Sequence, residues 1–281
     1  MLWQTSRFQI DLSRPRVMGI VNLTPDSFSD GGRHGDLAQA LRHAQQLLDE
    51  GADILDVGAE STRPGAQPVS QADELARLMP FLREAVRWHV PISVDTYKAG
   101  VMREVLDLGV DIVNDIWALR QPGAEAAVLA HPSCGVCLMH MHREPQSMQV
   151  LPMSGDVLPQ VKGFLDERIS ALTGQGMSSA RIVLDPGVGF GKTAAQNLSL
   201  LARQREWQLP GYPVLAGWSR KSTLGAVLVQ EGEVPDPGDR VHASVAAALL
   251  AVDRGAHVVR VHDVKPTVDA LKVWQSVREH T

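Results

Sequence analysis

The sequence predicts a closed barrel of eight parallel strands alternating with helices, a (β/α)8 fold, on three observations. One unit recurs eight times along the 281 residues: a short apolar run, a polar or Gly-rich loop, then a longer amphipathic segment. The runs are almost continuously apolar, as parallel strands are when both faces are covered. The length accommodates eight such units as one domain over 1–281. An open doubly wound sheet uses the same unit and is the runner-up.

The runs are RVMGIVN (16–22), DILDVGA (53–59), PISVDT (91–96), DIVNDI (111–116), GVCLMHM (135–141), RIVLDPGVG (181–189), PVLAGWS (213–219) and VVRVHDV (258–264). Each is rich in Val, Ile or Leu, and turn-forming residues bound it. Between them, Leu37, Leu41, Ala44 and Leu48, and later Val268, Leu271, Trp274 and Val277, recur at helical spacing on one face. Gly51, Gly109 and Gly255 stand two or three residues before a run, where a left-handed C-terminal cap lets the chain turn at once into the sheet.

A formal net charge of -5 without a Lys/Arg block argues against nucleic acid or an anionic membrane as main partner and points to a small ligand. The longest apolar run, VAAALLAV (245–252), is far too short to cross a bilayer, and MLWQTSRFQIDLSRPR has no secretory apolar core, so the chain is read as cytoplasmic. The only cysteines, Cys134 and Cys137, lead into an apolar run rather than opening a helix, so they are expected to be buried free thiols and not a redox pair.

In this fold active sites form at the C-terminal ends of the strands. Polar residues gather there: Asn22, Asp56 and Glu60, Asp95, Asn114 and Asp115, His140 and His142, Asp185, Ser219 to Ser222, and Arg260, His262 and Asp263. DPGVGFGKT (185–193) ends like a phosphate-binding loop, but Pro186 occupies the position of the first Gly, and Gly187, Gly189 and Gly191 miss the dinucleotide spacing. The loops NLTPDSFSDGG (22–32) and ESTRPGAQPVS (60–70) read as mobile covers.

Taken in order, NLTPDSFSDGG, ESTRPGA, VDT, VND, LMHM, DPGVGFGKT, SRKS and RVHDV resemble the dihydropteroate synthase family from about residue 16 to the end. The resemblance implies a TIM barrel. It also implies condensation of 6-hydroxymethyl-7,8-dihydropterin pyrophosphate with p-aminobenzoate to give 7,8-dihydropteroate and pyrophosphate, in an enzyme expected to be a homodimer. Residue by residue, it implies that Asp185 accepts from the pterin ring N–H and amino group, a donor pair that suits a carboxylate. Asp95 and Asn114 would complete the deep hydrogen bonds, Lys221 would reach the pterin carbonyl and ring nitrogen, and Met139 and Gly217 would join the substrate-binding set.

For the pyrophosphate the resemblance implies Arg260, His262 and Thr62, with Asn22 holding Mg2+. Phe28, Arg63, Pro64, Phe190 and Ser222 would line the aminobenzoate pocket. The implied catalytic set is Asp95, Asp185, Lys221, Arg260 and His262. No covalent intermediate is needed, so no nucleophile is nominated. The chain departs from the family pattern at His142-Arg143, where Gln-Gly is usual, and at Gln196, where His is usual. A methyltetrahydrofolate methyltransferase and a non-catalytic paralogue stay open as alternatives. The first has no use for NLTPDSFSDGG or SRKS, and the second would be expected to lose phosphate residues that are present here. A metal hydrolase on His140 and His142 is weaker, since no matching ligand set accompanies them.

Overall fold

The computed structural model describes residues 1–24, 32–61, 65–145, 147–148 and 150–280, the side chains of 32–35 excepted. The chain begins with an antiparallel hairpin, β1 (Leu2–Gln4) and β2 (Gln9–Asp11), that the sequence pattern does not announce. All eight expected runs then supply strands: β3 (Arg16–Asn22), β4 (Ile54–Gly58), β5 (Ile92–Asp95), β6 (Ile112–Asp115), β7 (Gly135–Met139), β8 (Ile182–Asp185), β9 (Leu215–Ala216) and β10 (Val258–Val261). They pair in parallel in the order β8-β7-β6-β5-β4-β3-β10-β9, and a parallel bridge between Leu184 and Val214 closes β8 onto β9. The result is a TIM barrel, and the open-sheet alternative is excluded.

Most strands stop short of their apolar runs because the polar residues at their ends leave the ladder to build loops. PVLAGWS shrinks furthest, to Leu215–Ala216, while its Trp218 is buried outside the strand. The helices are α1 (Gly32–Asp49), α2 (Gln71–Ala85), α3 (Ala99–Leu108), α4 (Ala124–Ala130), α5 (Val157–Thr173), α6 (Ala194–Ala202), α7 (Gln204–Trp207), α8 (Ser222–Val227), α9 (Val241–Asp253) and α10 (Val264–Arg278). Gly51, Gly109 and Gly255 have φ of 104°, 106° and 98°, the left-handed conformation their position requires. On α10 the expected apolar face is incomplete: Leu271 is buried, but Val277 is exposed.

Side chains alternate across each strand, so one set faces the helices and the other fills the barrel. The outward set, including Val17, Leu55, Val94, Val136, Leu184 and Val259, packs against the helical ring. The inward set at the N-terminal end is apolar: Met18, Ile54, Ile112, Cys137, Val183, Leu215 and Val258. The hairpin closes that end, with Trp3, Ile10 and Leu12 in the same cluster and Trp3 Nε1 donating to the Arg181 carbonyl at 2.9 Å. Both cysteines are buried free thiols, and burial pushes each thiol pKa up, as expected of inert groups.

Asp111, fully buried, latches the hairpin. Its carboxylate accepts from the Arg7 backbone N–H and Nε, both at 3.0 Å, and from the Ile92 N–H at 2.9 Å. Replacing it with alanine strips four buried or half-buried donors of their acceptor, Arg7 Nη2 included, so Asp111→Ala is expected to lower the unfolding free energy by about 3 kcal/mol. Urea denaturation reads this as a lower midpoint; an unchanged midpoint would show that the hairpin is held by its apolar contacts alone.

Candidate active site

One inward layer above the apolar floor, the barrel turns polar. Asp56 of β4, Ser93 and Asp95 of β5, Asn114 of β6, Asp185 of β8 and Arg260 of β10 all point to the axis by strict alternation with the floor residues below them. Arg260 is held by two carboxylates, with Nε donating to Asp56 Oδ2 at 2.6 Å and Nη2 to Asp95 Oδ2 at 3.0 Å. Burial opposes its charge, but Asp56 and Asp95 outweigh that effect and raise its pKa further. Burial pushes Asp95 up to about 7, against the pull of Arg260.

Asp185 closes the other side of the well. The Gly187 N–H donates to its Oδ1 at 2.7 Å, and burial still holds its pKa above the usual carboxylate range. Gly217 borders it, since a Cβ there would lie 3.9 Å from Asp185 Oδ2. Lys221, the N-cap of α8, reaches over the Phe190 ring with Nζ 4.4 Å from the centroid. Phe190 belongs to an apolar wall with Met139, Ile116 and Met141. An apolar wall, acceptor carboxylates and a lysine thus line one well, which suits a flat heterocycle with donors along one edge and a carbonyl on another.

The GKT that imitates a phosphate-binding loop has a structural use. Lys192 is buried and its Nζ donates to the carbonyls of Gly187 at 2.8 Å, Phe190 at 3.2 Å and His140 at 3.3 Å, while burial lowers its pKa to about 7. It sews the loop after β8 to the end of β7 and meets no exposed phosphate space. Gly187, at φ 67°, is indispensable to that seam, because a Cβ would collide with the His140 carbonyl. Gln196, where the family usually has His, completes a capping box with Thr193 at the start of α6 and donates to the Met153 carbonyl. His142, the other departure, is only partly buried beside Gly191.

Two loops meet at the rim. Arg220, at φ 59°, forms a two-point ion pair with Asp263 at 2.6 and 3.0 Å, joining the loop after β9 to that after β10. His262 shares a 3.0 Å hydrogen bond through Nδ1 with Ser219 Oγ, which also accepts from the His262 backbone N–H at 3.1 Å. His262 and Lys221 therefore edge the mouth above Arg260, while Ser222 opens α8 on its exposed side. Asn22 ends β3, half-buried, at the same end of the barrel.

Not every strand-end residue joins the well. Asp115 faces the helical side and accepts from the Trp117 and Leu119 N–H groups at 2.8 and 2.7 Å, closing a turn. His140 packs edge-on against Phe164 of α5, its Nδ1 has no partner, and burial drives its pKa down to about 2. Among the described residues no three His, Cys, Asp or Glu side chains converge to hold a metal, so His140 and His142 give the hydrolase reading no site. Glu60 pairs with Lys98, which also holds Glu74 of α2, at the stem of the second loop. Phe28, Thr62, Arg63 and Pro64 lie outside the described residues. Asp56 and Ser219 stand among the strand-end polar residues of the sequence without a specific role, while Ser93 and Lys192 are not nominated there at all. Counting alternation outward from the apolar floor would have found Ser93.

Barrel, polar well and basic rim define a pterin-binding enzyme, and residues 18–262 match the model of the pterin binding enzyme family, to which the chain belongs. Within that family it is 50% identical to dihydropteroate synthase of Neisseria meningitidis serogroup B, over 98% of this chain and 97% of the relative. Among solved structures it is similar to Burkholderia cenocepacia dihydropteroate synthase complexed with 7,8-dihydropteroate, at 49% identity, TM-score 0.89, and 99% and 97% coverage of the two chains. A Yersinia pestis dihydropteroate synthase with a sulfonamide drug complex matches at 44% identity and TM-score 0.92, covering 99% of this chain and all of the other.

The electrostatics of the rim predict the state of His262. Burial, then Arg260 and Arg220, push its pKa down to about 3, so the free enzyme holds it neutral throughout the physiological range. An anion bound beside it favours the charged form and shifts the pKa upward. Proton NMR of the imidazole should show no titration between about pH 5 and 9 in the free enzyme and an upward shift on adding pyrophosphate. Titration near 6.5 without ligand would contradict this.

Proposed function

We propose that the chain is a dihydropteroate synthase, a transferase of folate synthesis that joins 6-hydroxymethyl-7,8-dihydropterin pyrophosphate to p-aminobenzoate. The observation that carries the reading is the polar layer of the well: Asp185, Asn114, Asp95 and Arg260 line it, Lys221 bounds it, and His262 stands at its mouth. The relative with bound 7,8-dihydropteroate supports it, as does the identity over nearly the whole chain.

Asp185 takes the pterin amino group and adjacent ring N–H, which orients the bicycle so that its carbonyl and N5 edge meets Lys221. Phe190 and Met139 pack on its faces, and Gly217 allows close approach. Arg260 and His262 receive the pyrophosphate. The methylene C–O bond breaks early, the pyrophosphate oxygen keeping the electron pair, and the cation spreads over the pterin. The aminobenzoate nitrogen then forms the C–N bond with its lone pair and loses a proton. Phe28, Thr62, Arg63, Pro64 and Ser222 are assigned to the second substrate and the pyrophosphate by family likeness.

Magnesium fits this mouth as an ion brought largely by its phosphates: Asn22 offers one hard amide oxygen at the end of β3, and no carboxylate cluster converges among the described residues. Bound there through Asn22, Mg2+ would neutralise charge on the leaving pyrophosphate. A cytoplasmic setting agrees with the absence, among the described residues, of a helix long and apolar enough to cross a membrane. A homodimer would cover exposed Leu250 of α9 and Val273 and Val277 of α10.

The test is formation of 7,8-dihydropteroate and pyrophosphate from the two substrates. Asp185→Asn trades an acceptor for a donor facing the pterin amino group and should cut kcat/KM by about 100-fold with an unchanged circular dichroism spectrum. Full activity in that variant would withdraw the assignment of Asp185. A sulfonamide, similar in shape to p-aminobenzoate, should inhibit competitively against it and not against the pterin. Noncompetitive inhibition would place the drug elsewhere.

A further inference from the structure

We propose that Asp56 is a positioning residue that locks the orientation of the Asn114 amide, and through it makes the well select a 7,8-dihydropterin over the fully oxidised pterin. This rests on the pterin reading above. Asp56 is 0% exposed and accepts three hydrogen bonds. Ser93 Oγ donates to Oδ1 at 2.6 Å, from the residue paired with it across β4 and β5. Arg260 Nε donates to Oδ2 at 2.6 Å and Asn114 Nδ2 to the same oxygen at 3.2 Å.

The two ends of an asparagine amide are alike in shape and opposite in hydrogen bonding. A carboxylate beside a guanidinium offers acceptors only, so the end of Asn114 that faces Asp56 must be the NH2. The carbonyl oxygen and the second N–H are left to face the ligand, in fixed order. Without Asp56 the amide could turn over at little cost.

Barrel geometry says which pterin edge meets that pair. In the closed ring β9 stands four strands from β5 in either direction and three from β6. Lys221, just beyond β9, therefore faces Asn114 across the well. With the carbonyl and N5 edge on Lys221 and the amino end on Asp185, the remaining long edge, N1 and N8, lies toward Asn114. In a 7,8-dihydropterin that edge is an acceptor beside a donor, N1 beside N8–H, which complements an amide of fixed order. In the oxidised ring N8 is an acceptor too, and the locked carbonyl oxygen would oppose its lone pair.

Calorimetry with 6-hydroxymethyl-7,8-dihydropterin pyrophosphate and its oxidised counterpart, without p-aminobenzoate, tests this in the wild type, Asp56→Asn, Asn114→Ala and the double variant. The wild type should prefer the dihydro form by about tenfold or more. Asp56→Asn should bring the ratio close to one, Asn114→Ala should do the same, and the double variant should match Asn114→Ala in that ratio. General damage to the barrel would weaken both ligands and leave their ratio alone. Should Asp56→Asn fail to fold, Ser93→Ala, which removes one tether of the carboxylate, should lower the ratio by about threefold. Pterin affinity undiminished in Asn114→Ala would remove the reading of Asn114 and this proposal with it. A ratio that falls in Asn114→Ala but stays at the wild-type value in Asp56→Asn would overturn the role of Asp56 alone.

Discussion

Arg260 carries a permanent positive charge into the middle of the barrel, where stripping an ion of water costs several kcal/mol unless partners stand ready. Asp56 and Asp95 supply them, and the rest of the well follows from that pairing. Two carboxylates on one guanidinium need further donors of their own, and Ser93 and Asn114 provide these for Asp56. Because the four elements that contribute, β4, β5, β6 and β10, fall within the half-circle that runs from β6 through β3 to β10, the network leaves β8 and β9 to Asp185, Gly217 and Lys221. A flat ligand is received between a rigid charged lattice and a wall of glycine backbone, aromatic ring and lysine.

The barrel was legible because its strands are buried on both faces, so burial alone marks them as apolar runs. What could not be read was the hairpin: β1 and β2 have three residues each, and Trp3, Ile10 and Leu12 are the buried apolar residues they bring to the core. Three apolar residues have no period to detect. PVLAGWS misled in the opposite sense. Its last apolar residue, Trp218, serves the helical layer, and backbone pairing ends at Ala216.

Within the site, parity decided what sequence reasoning could reach. Asp95 and Asn114 were recognisable by family likeness, and both face the axis. Asp115 and His140 look equally functional as letters at strand ends, yet each lies one residue out of phase with the well, so that one closes a turn and the other packs on Phe164. Asp56 shows the converse. It sits two residues below the strand end, stands among the strand-end polar residues without a role of its own, and proves to be the most connected carboxylate in the well. Lys192 escaped because its partners are backbone carbonyls, which no side-chain pattern encodes.

The hairpin across the floor has a consequence for traffic. With Trp3 tied to Arg181 and Asp111 tied to Arg7, the described residues close the floor of the barrel and make it a blind well that opens at the C-terminal end of the strands. Whatever rests deepest must arrive before anything placed above it and can depart only after the upper occupant has cleared the opening. A ligand spanning both levels has to be drawn out whole, shallow end leading, past that rim. Topology at the unreactive end of the molecule thereby imposes a last-in, first-out discipline on the reactive one.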